Sequence, residues 1–321
     1  MTAALELKNI TMEFQSRKHM FRVDVVRAVD DVSLRLNQGE TLGIVGESGS
    51  GKTTLARIAL RLQKPTSGTI SYLGYDITFT SENKLGHFRR KVQGIFQDPF
   101  AALDPFMNIG QILEEPLIIH HLGNSGERNS AIESALAEVK LNPARQFVTK
   151  YTHLLSGGQR QRVAIARALL LKPDYIVADE PVSMIDASSR AEILSLFAEL
   201  QNNHNLGFLY ITHDIATAGY FCRQVAVMYL GRVVEYGPAR EVICSPKHPY
   251  TINLIAAIPT PDPQNRFRER SVIPLETVTV DSESCCAFMP RCDRALEGEC
   301  DCVKPVLREI DPGHFVACTR V

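Results

Sequence analysis

Eight consecutive residues, Gly46-Glu47-Ser48-Gly49-Ser50-Gly51-Lys52-Thr53, carry the densest chemistry in this chain. They fit the spacing G-x-x-x-x-G-K-[ST] and stand between a short apolar strand at 41–45 and a helical pattern at 52–62. Glycines let successive backbone N–H groups turn toward one centre, and the following helix aims its positive end there, so the loop suits a polyphosphate. Lys52 would neutralise charge on the β- and γ-phosphates, and Thr53, followed by Thr54, would offer its hydroxyl to Mg²⁺. The plainer alternative is a glycine turn with an incidental lysine; the flanking strand and helix favour the phosphate reading.

A second constellation follows the apolar run Tyr175-Ile176-Val177-Ala178, which ends in Asp179-Glu180. Two carboxylates then emerge at the C-terminal edge of a sheet, where ligands of open α/β folds bind. Asp179 suits a magnesium shell, and Glu180, pointing to the other side, suits the orientation or deprotonation of an attacking water. A third constellation is Leu155-Ser156-Gly157-Gly158-Gln159, opening a helix at 157–171. Ser156 and the glycine amides at that N-terminus make a second phosphate-binding nose, or simply an N-cap with a glycine turn. Arg160, Arg162 and Arg167 on the same helix form a salt-linked face or approach the nucleotide.

The elements that must position these groups are legible as alternation. Residues 5–14 and 28–36 alternate apolar and polar side chains and predict strands that open the chain with antiparallel β structure. From 108 to about 141 apolar residues recur every three to four positions, which predicts a helical insertion. A helix at 188–201 and strands at 175–178 and 207–212 complete an α/β pattern with a parallel sheet covered on both faces. After Pro259 the chain turns proline-rich and charged (IPTPDPQNRFRERSVIP) and reads as a linker or an irregular arm.

The chain has 321 residues, about two folding units at ~150 residues each. With 35 Lys+Arg against 36 Asp+Glu, no global basic field exists to hold nucleic acid. No apolar run of ~18 residues is free of charge, and the N-terminus shows no export signal, so a cytoplasmic location is expected. The eight cysteines are then reduced thiols or ligands rather than disulfides. His120-His121 lacks an acid or Cys at ligand spacing and is expected to be solvated; Cys222 and Cys244 are expected to be core thiols.

The ordered conjunction of GESGSGKT, LSGGQ and VADEP resembles the nucleotide-binding domain of ABC ATPases, from the first strand to about residue 258. That resemblance implies an α/β P-loop NTPase core with an antiparallel β subdomain and a helical subdomain at about 98–160. It implies ATP bound by Gly46 to Thr54, with Phe14 stacking on adenine and Phe21 competing for that role. Mg²⁺ would be held by Thr53, Gln97 and Asp179, with Glu180, His213 and Gln97 as catalytic residues. Ser156, Gly157, Gly158, Gln159 and Asp186 would reach ATP held by a facing protomer. Ser183-Met184-Ile185-Asp186 departs from the usual Ala-Leu pair but keeps the aspartate. Since one chain carries one set of motifs, a second ATPase, identical or related, is implied.

Within that family, FQDPF at 96–100, ADEPVS at 178–183 and especially Lys247-His248-Pro249-Tyr250-Thr251 are similar to ATP-binding subunits of oligopeptide, dipeptide and nickel importers. The resemblance implies two integral membrane permease subunits, an external solute-binding protein, a place on the cytoplasmic face of the membrane, and no nucleic acid. Oligosaccharide or nickel are alternative solutes, and a soluble ABC ATPase of DNA or ribosome metabolism is the alternative class.

Six of the eight cysteines fall between Cys285 and Cys318, in a C-terminal extension at 259–321. Thiols at such short spacings suggest a metal or iron–sulfur centre. The resemblance to the subfamily's C-terminal extension implies a four-iron, four-sulfur cluster on Cys286, Cys292, Cys300 and Cys318. Zinc or plain thiols are the alternatives, and Cys302 could replace Cys300.

Overall fold

The structure, a computed structural model, describes residues 3–19, 22–258 and 285–321. Phe21 and the proline-rich stretch after Pro259 lie outside them. Twelve strands occur among the described residues: β1 (Ala3–His19), β2 (Arg22–Asn37), β3 (Thr41–Val45), β4 (Ser67–Tyr72), β5 (Tyr75–Asp76), β6 (Val92–Ile95), β7 (Tyr175–Asp179), β8 (Gly207–Thr212), β9 (Gln224–Tyr229), β10 (Arg232–Pro238), β11 (Arg308–Asp311) and β12 (His314–Val316). No helix among the described residues is long and apolar enough to cross a membrane.

The chain divides into two compact units. One holds residues 1–10, 33–41 and 53–211. Its strands β6, β7 and β8 run parallel, with Val92 opposite Tyr175 and Tyr175 opposite Gly207. Every residue of β7 and β8 is buried, as continuous apolar runs in a covered parallel sheet must be. In the same unit β4 pairs antiparallel with β5, Ser71 opposite Asp76. The 108–141 insertion is two helices, Ile109–Ile119 and Ser125–Glu138, each opened by an asparagine capping box. They pack with helix Gly157–Leu169, whose arginines are salt-linked: Arg162 to Glu192 at 2.7 Å and Arg167 to Glu115 at 2.6 Å, while Arg160 donates to the Thr152 carbonyl.

The other unit holds residues 11–32, 42–52 and 212–321. Here β3 pairs parallel with β9, Val45 opposite Val227, and β10 pairs antiparallel with β9. The extension adds β12 to β10, with Glu235 opposite Val316, and β11 to β12 across a turn at Gly313. These two short strands carry no sequence signal above background. Cys222 is buried as expected, but Cys244 is exposed, correcting its assignment to the core. Helix Ala239–Cys244 buries only Ala239 and Val242, a three-residue spacing that turns residue 244 outward.

The helix expected at 52–62 ends earlier, as Lys52–Ala59. Leu62 N–H returns to the Arg57 carbonyl and Arg61 takes φ +52°, a left-handed cap usually filled by glycine. Arg61 earns that position with its side chain, which is 2% exposed and donates from Nε to Ile77 O at 2.8 Å and from Nη2 to Thr80 O at 2.9 Å. Arg61→Ala would leave both carbonyls unpaired beside a void, and is expected to lower the urea unfolding free energy by about 2–4 kcal/mol; an unchanged midpoint would refute this anchoring role.

Candidate nucleotide site

The phosphate-loop residues lie in the second unit. β3 delivers the chain to Gly46, where a Cβ would stand 2.2 Å from the Met228 carbonyl oxygen; at Gly51, φ +99°, a Cβ would stand 2.2 Å from Ala28 O. Only glycine fits either place, so the motif's two fixed glycines are required by backbone approach as well as by turning. Lys52 opens the helix and is buried. Its Nζ donates to Gly46 O and Glu47 O at 2.7 Å each and to Ser50 Oγ at 3.3 Å, so the cation is threaded through its own loop. Ser48 and Gly49 at the tip are exposed.

Two side chains of the C-terminal part hold this loop from outside. The Glu47 N–H donates to Tyr250 Oη at 2.8 Å, and the Glu47 carboxylate accepts both arms of the Arg291 guanidinium at 2.9 and 3.0 Å. The bond to Glu47 raises the Arg291 pKa, and burial raises that of Tyr250. In the sequence Tyr250 stands within the Lys247–Thr251 signature and Arg291 between two cysteines, and no local pattern ties either to Glu47. His213 follows β8 and is exposed, and Asp214 beside it caps helix Ile215–Phe221. Phe14 on β1 is 42% exposed, so it is not a core residue.

Thr53 and the carboxylates belong to the first unit. Thr53 Oγ1 lies 3.4 Å from Oδ1 of Asp179, which ends β7 buried. A hydroxyl and a carboxylate converging at a sheet's C-terminal edge are the hard oxygen donors Mg²⁺ takes, so these residues fit that ion. Glu180, half-buried, takes φ +47° and donates its N–H to Ile211 O at 2.8 Å. A left-handed non-glycine residue costs roughly 1–3 kcal/mol, here held by that backbone bond to β8. Thr54 is half-buried, and Gln97 lies exposed beyond β6, on the edge where β7 ends.

The second nose is built by caps in this same unit. Ser156 Oγ accepts from Gln159 N at 3.3 Å and Gln159 Oε1 accepts from Ser156 N at 3.1 Å. Asp186 caps helix Ala187–His204, its Oδ1 accepting from Ser188 Oγ at 2.5 Å and Ser189 N at 2.9 Å, which holds its carboxyl well below the usual range. The two turns adjoin: a Cβ at Gly157 would lie 3.6 Å from Ile185, and one at Gly158 would lie 3.0 Å from Ser189 Oγ.

In the extension, Cys286, Cys292, Cys300 and Cys318 line one cavity with His248, Phe288 and Arg320. Burial raises the pKa of Cys286 and Cys292, leaving them protonated thiols. Among the described residues no three Cys, His, Asp or Glu side chains group closely enough to hold a metal ion. The expected iron–sulfur cluster, and zinc with it, therefore gains no support from the packing present. Cys302 is exposed and bonded to Asp301, away from that cavity.

The ABC transporter family matches residues 29–183, and the oligopeptide/dipeptide transporter C-terminal region matches residues 234–300. The chain is 43% identical over 320 residues to a putative peptide import ATP-binding protein of Brucella ovis, covering 99% of this chain and 98% of that one. It is also 43% identical over 328 residues to the oligopeptide transport ATP-binding protein AppF of Bacillus subtilis, covering 99% of each. Among solved structures, a dimeric ATP-binding cassette in a post-hydrolysis state with ADP and Pi has a TM-score of 0.65 at 30% identity, covering 74% of this chain and 99% of that one. The chain belongs to the ATP-binding proteins of ABC transporters, in the branch that carries the oligopeptide/dipeptide C-terminal region.

His248, which starts the helix presenting Tyr250, accepts Tyr250 N on Nδ1, a bond only unprotonated Nδ1 can make. Burial pulls its pKa down to about 4. With the folded value below the unfolded 6.5, the unfolded chain binds the extra proton. This contribution is present in full above pH 6.5 and is lost as pH falls toward 4, on the order of 3 kcal/mol. Urea titrations across that window should show the slope in the parent chain and a flattened one in His248→Gln; equal slopes would refute it.

Proposed function

We propose that this chain is the ATP-hydrolysing subunit of an ABC importer that takes up oligopeptide- or dipeptide-type solutes. The observation that carries the ATP chemistry is the approach of Thr53 to Asp179, Thr53 following in sequence a loop whose glycines and Lys52 suit a polyphosphate. The match to the oligopeptide/dipeptide C-terminal region, and the peptide import named for the relatives, support the solute class. We read residues 1–258 as the nucleotide-binding domain and 259–321 as its extension.

In this reading Lys52 and the loop amides bind the phosphates, and Phe14 stacks on the base. Mg²⁺, held by Thr53, Asp179 and Gln97, would neutralise phosphate charge. Glu180 orients the attacking water and accepts its proton, while His213 contacts the γ-phosphate. Ser156, Gly157, Gly158, Gln159 and Asp186 complete the site of a facing ATPase, identical or related. ATP then favours the closed pair and hydrolysis releases it, which two permease subunits convert into transport of a solute delivered by an external binding protein. The chain sits on the cytoplasmic face of the membrane.

For the extension, the finer proposal is that Cys286, Cys292, Cys300 and Cys318 draw together around a four-iron, four-sulfur cluster. Its support is their shared cavity. Anaerobically purified protein should contain about four iron atoms per chain; protein free of iron would overturn it, and bound zinc would replace it.

Glu180→Gln keeps the side chain's shape but cannot accept a proton. It is expected to bind ATP within about twofold of the parent chain while turnover falls by about 10²-fold or more, with an ATP-held ATPase pair persisting in size-exclusion chromatography. Turnover at the parental rate would refute the assignment.

A further inference from the structure

The second residue of the phosphate loop is held by the far end of the chain, and nothing in the nucleotide chemistry calls for that contact. Arg291 sits in the one-turn helix Met289–Arg291, between Cys286 and Cys292, and reaches Glu47 across 244 positions of sequence with a two-pronged pair at 2.9 and 3.0 Å. Such a fork fixes direction as well as charge, because both N–H groups must meet both oxygens. The arginine is itself held: its guanidinium carbon lies 5.8 Å from the ring centres of both Tyr229 and Phe288. Those rings and Tyr250 pack mutually, with centres 4.6 Å (Tyr229–Tyr250), 5.3 Å (Tyr229–Phe288) and 5.5 Å (Tyr250–Phe288) apart. Tyr250 in turn accepts the Glu47 N–H, so side chain and backbone of one residue are gripped by one aromatic cluster.

Glu47 also faces inward, since its carbonyl accepts from Lys52 Nζ at 2.7 Å. A displacement of Glu47 therefore moves an oxygen that sets where the lysine ammonium lies. The extension has a second anchor, Lys304 Nζ to Asp30 at 3.1 Å, but Asp30 is already held by Arg232 at 2.5 Å. Only the Arg291 anchor ends on the loop itself.

We propose that Arg291 is a positioning residue of the ATP site: through Glu47 it holds the phosphate loop and Lys52 in the geometry that receives the phosphates, so that the cysteine-rich extension sets ATP affinity. This rests on the reading of residues 46–54 as the ATP-binding loop. Seen from the extension, a change that shifts the turn bearing Arg291 reaches the loop directly through this ion pair, and through Phe288 and Tyr250 behind it.

The test uses the full chain with its thiols reduced and reads the ATP dissociation constant by calorimetry, with the thermal midpoint alongside. Arg291→Ala is expected to weaken ATP about tenfold, and Arg291→Lys, which keeps charge but loses the fork, by less. Glu47→Gln should weaken ATP by a similar factor, and the double variant Glu47→Gln with Arg291→Ala should be no worse than the poorer single one, as coupled partners require. Lys304→Ala, which loosens the extension without touching Glu47, should stay within about twofold of the parent. Parental affinity in either Arg291→Ala or Glu47→Gln, additive losses in the double variant, or an equal loss in Lys304→Ala would each overturn the proposal. If Arg291→Ala does not fold, Arg291→Lys and Glu47→Gln decide it in the same way. Lys52→Ala separates the two readings: if it binds ATP like the parent, the loop assignment itself fails, whereas lost binding there with parental Arg291→Ala leaves the loop assignment standing and removes only the clamp.

Discussion

The structure around the phosphate loop depends on backbone meeting backbone without a side chain between. Gly46 lies against the Met228 carbonyl and Gly51 against that of Ala28, each where a Cβ would fall 2.2 Å from oxygen. The loop is thereby pressed onto the residues of β9 and β2 rather than standing clear of them. Ser50 O accepts from Gly231 N, and Gly231 O from Asp30 N, so the turn after β9 is stitched to the same place. Strand β3, fully buried and in register with β9, supplies the rigid base. A loop held this way can present its exposed tip without paying much ordering entropy on binding.

How much of this was legible in the sequence follows from how local each device is. The phosphate loop, the strand ending in Asp179-Glu180 and the Ser156 turn are contiguous words, each readable from flanking periodicity. Thr53 and Asp179 lie 126 positions apart, yet each is legible by itself because one stands at the start of a helix and the other ends a strand. Arg291 and Glu47 were not found together, since neither position has a local pattern that requires the other. β11 and β12, four and three residues long, are too short to show alternation and exist because β10 offers an unpaired edge. Arg61, taken as helix interior, ends the helix because its side chain has buried carbonyls to satisfy, which no helical propensity reports. The cysteines are close in sequence, but spacing cannot tell a shared cavity, which four of them line, from a ligand shell.

Lys247-His248-Pro249-Tyr250-Thr251, used first as a subfamily signature, has a physical job. Glu235 is completely buried and accepts from Lys247 N and His248 N at 2.9 Å and from His314 Nε2 at 2.8 Å. A buried carboxylate persists only when its oxygens are filled, and here Glu235 of β10 takes two donors from the residues that open helix Pro249–Ala256 and one from β12. The network fixes the position from which Tyr250 reaches Glu47. The extension's strands and the signature thus support one object, the aromatic cluster behind the loop.

The departure at Met184-Ile185 can be divided by burial. Ile185 is 8% exposed and lies against Gly157, so it belongs to the internal packing between the Ser156 turn and the Asp186 cap. Met184 is 53% exposed and touches solvent on the same face. Asp186 and Ser156 already satisfy their helix N-termini, so both turns are ordered before any partner arrives. Of these two residues, Ile185 is spent on internal packing and Met184 is the one left at the surface.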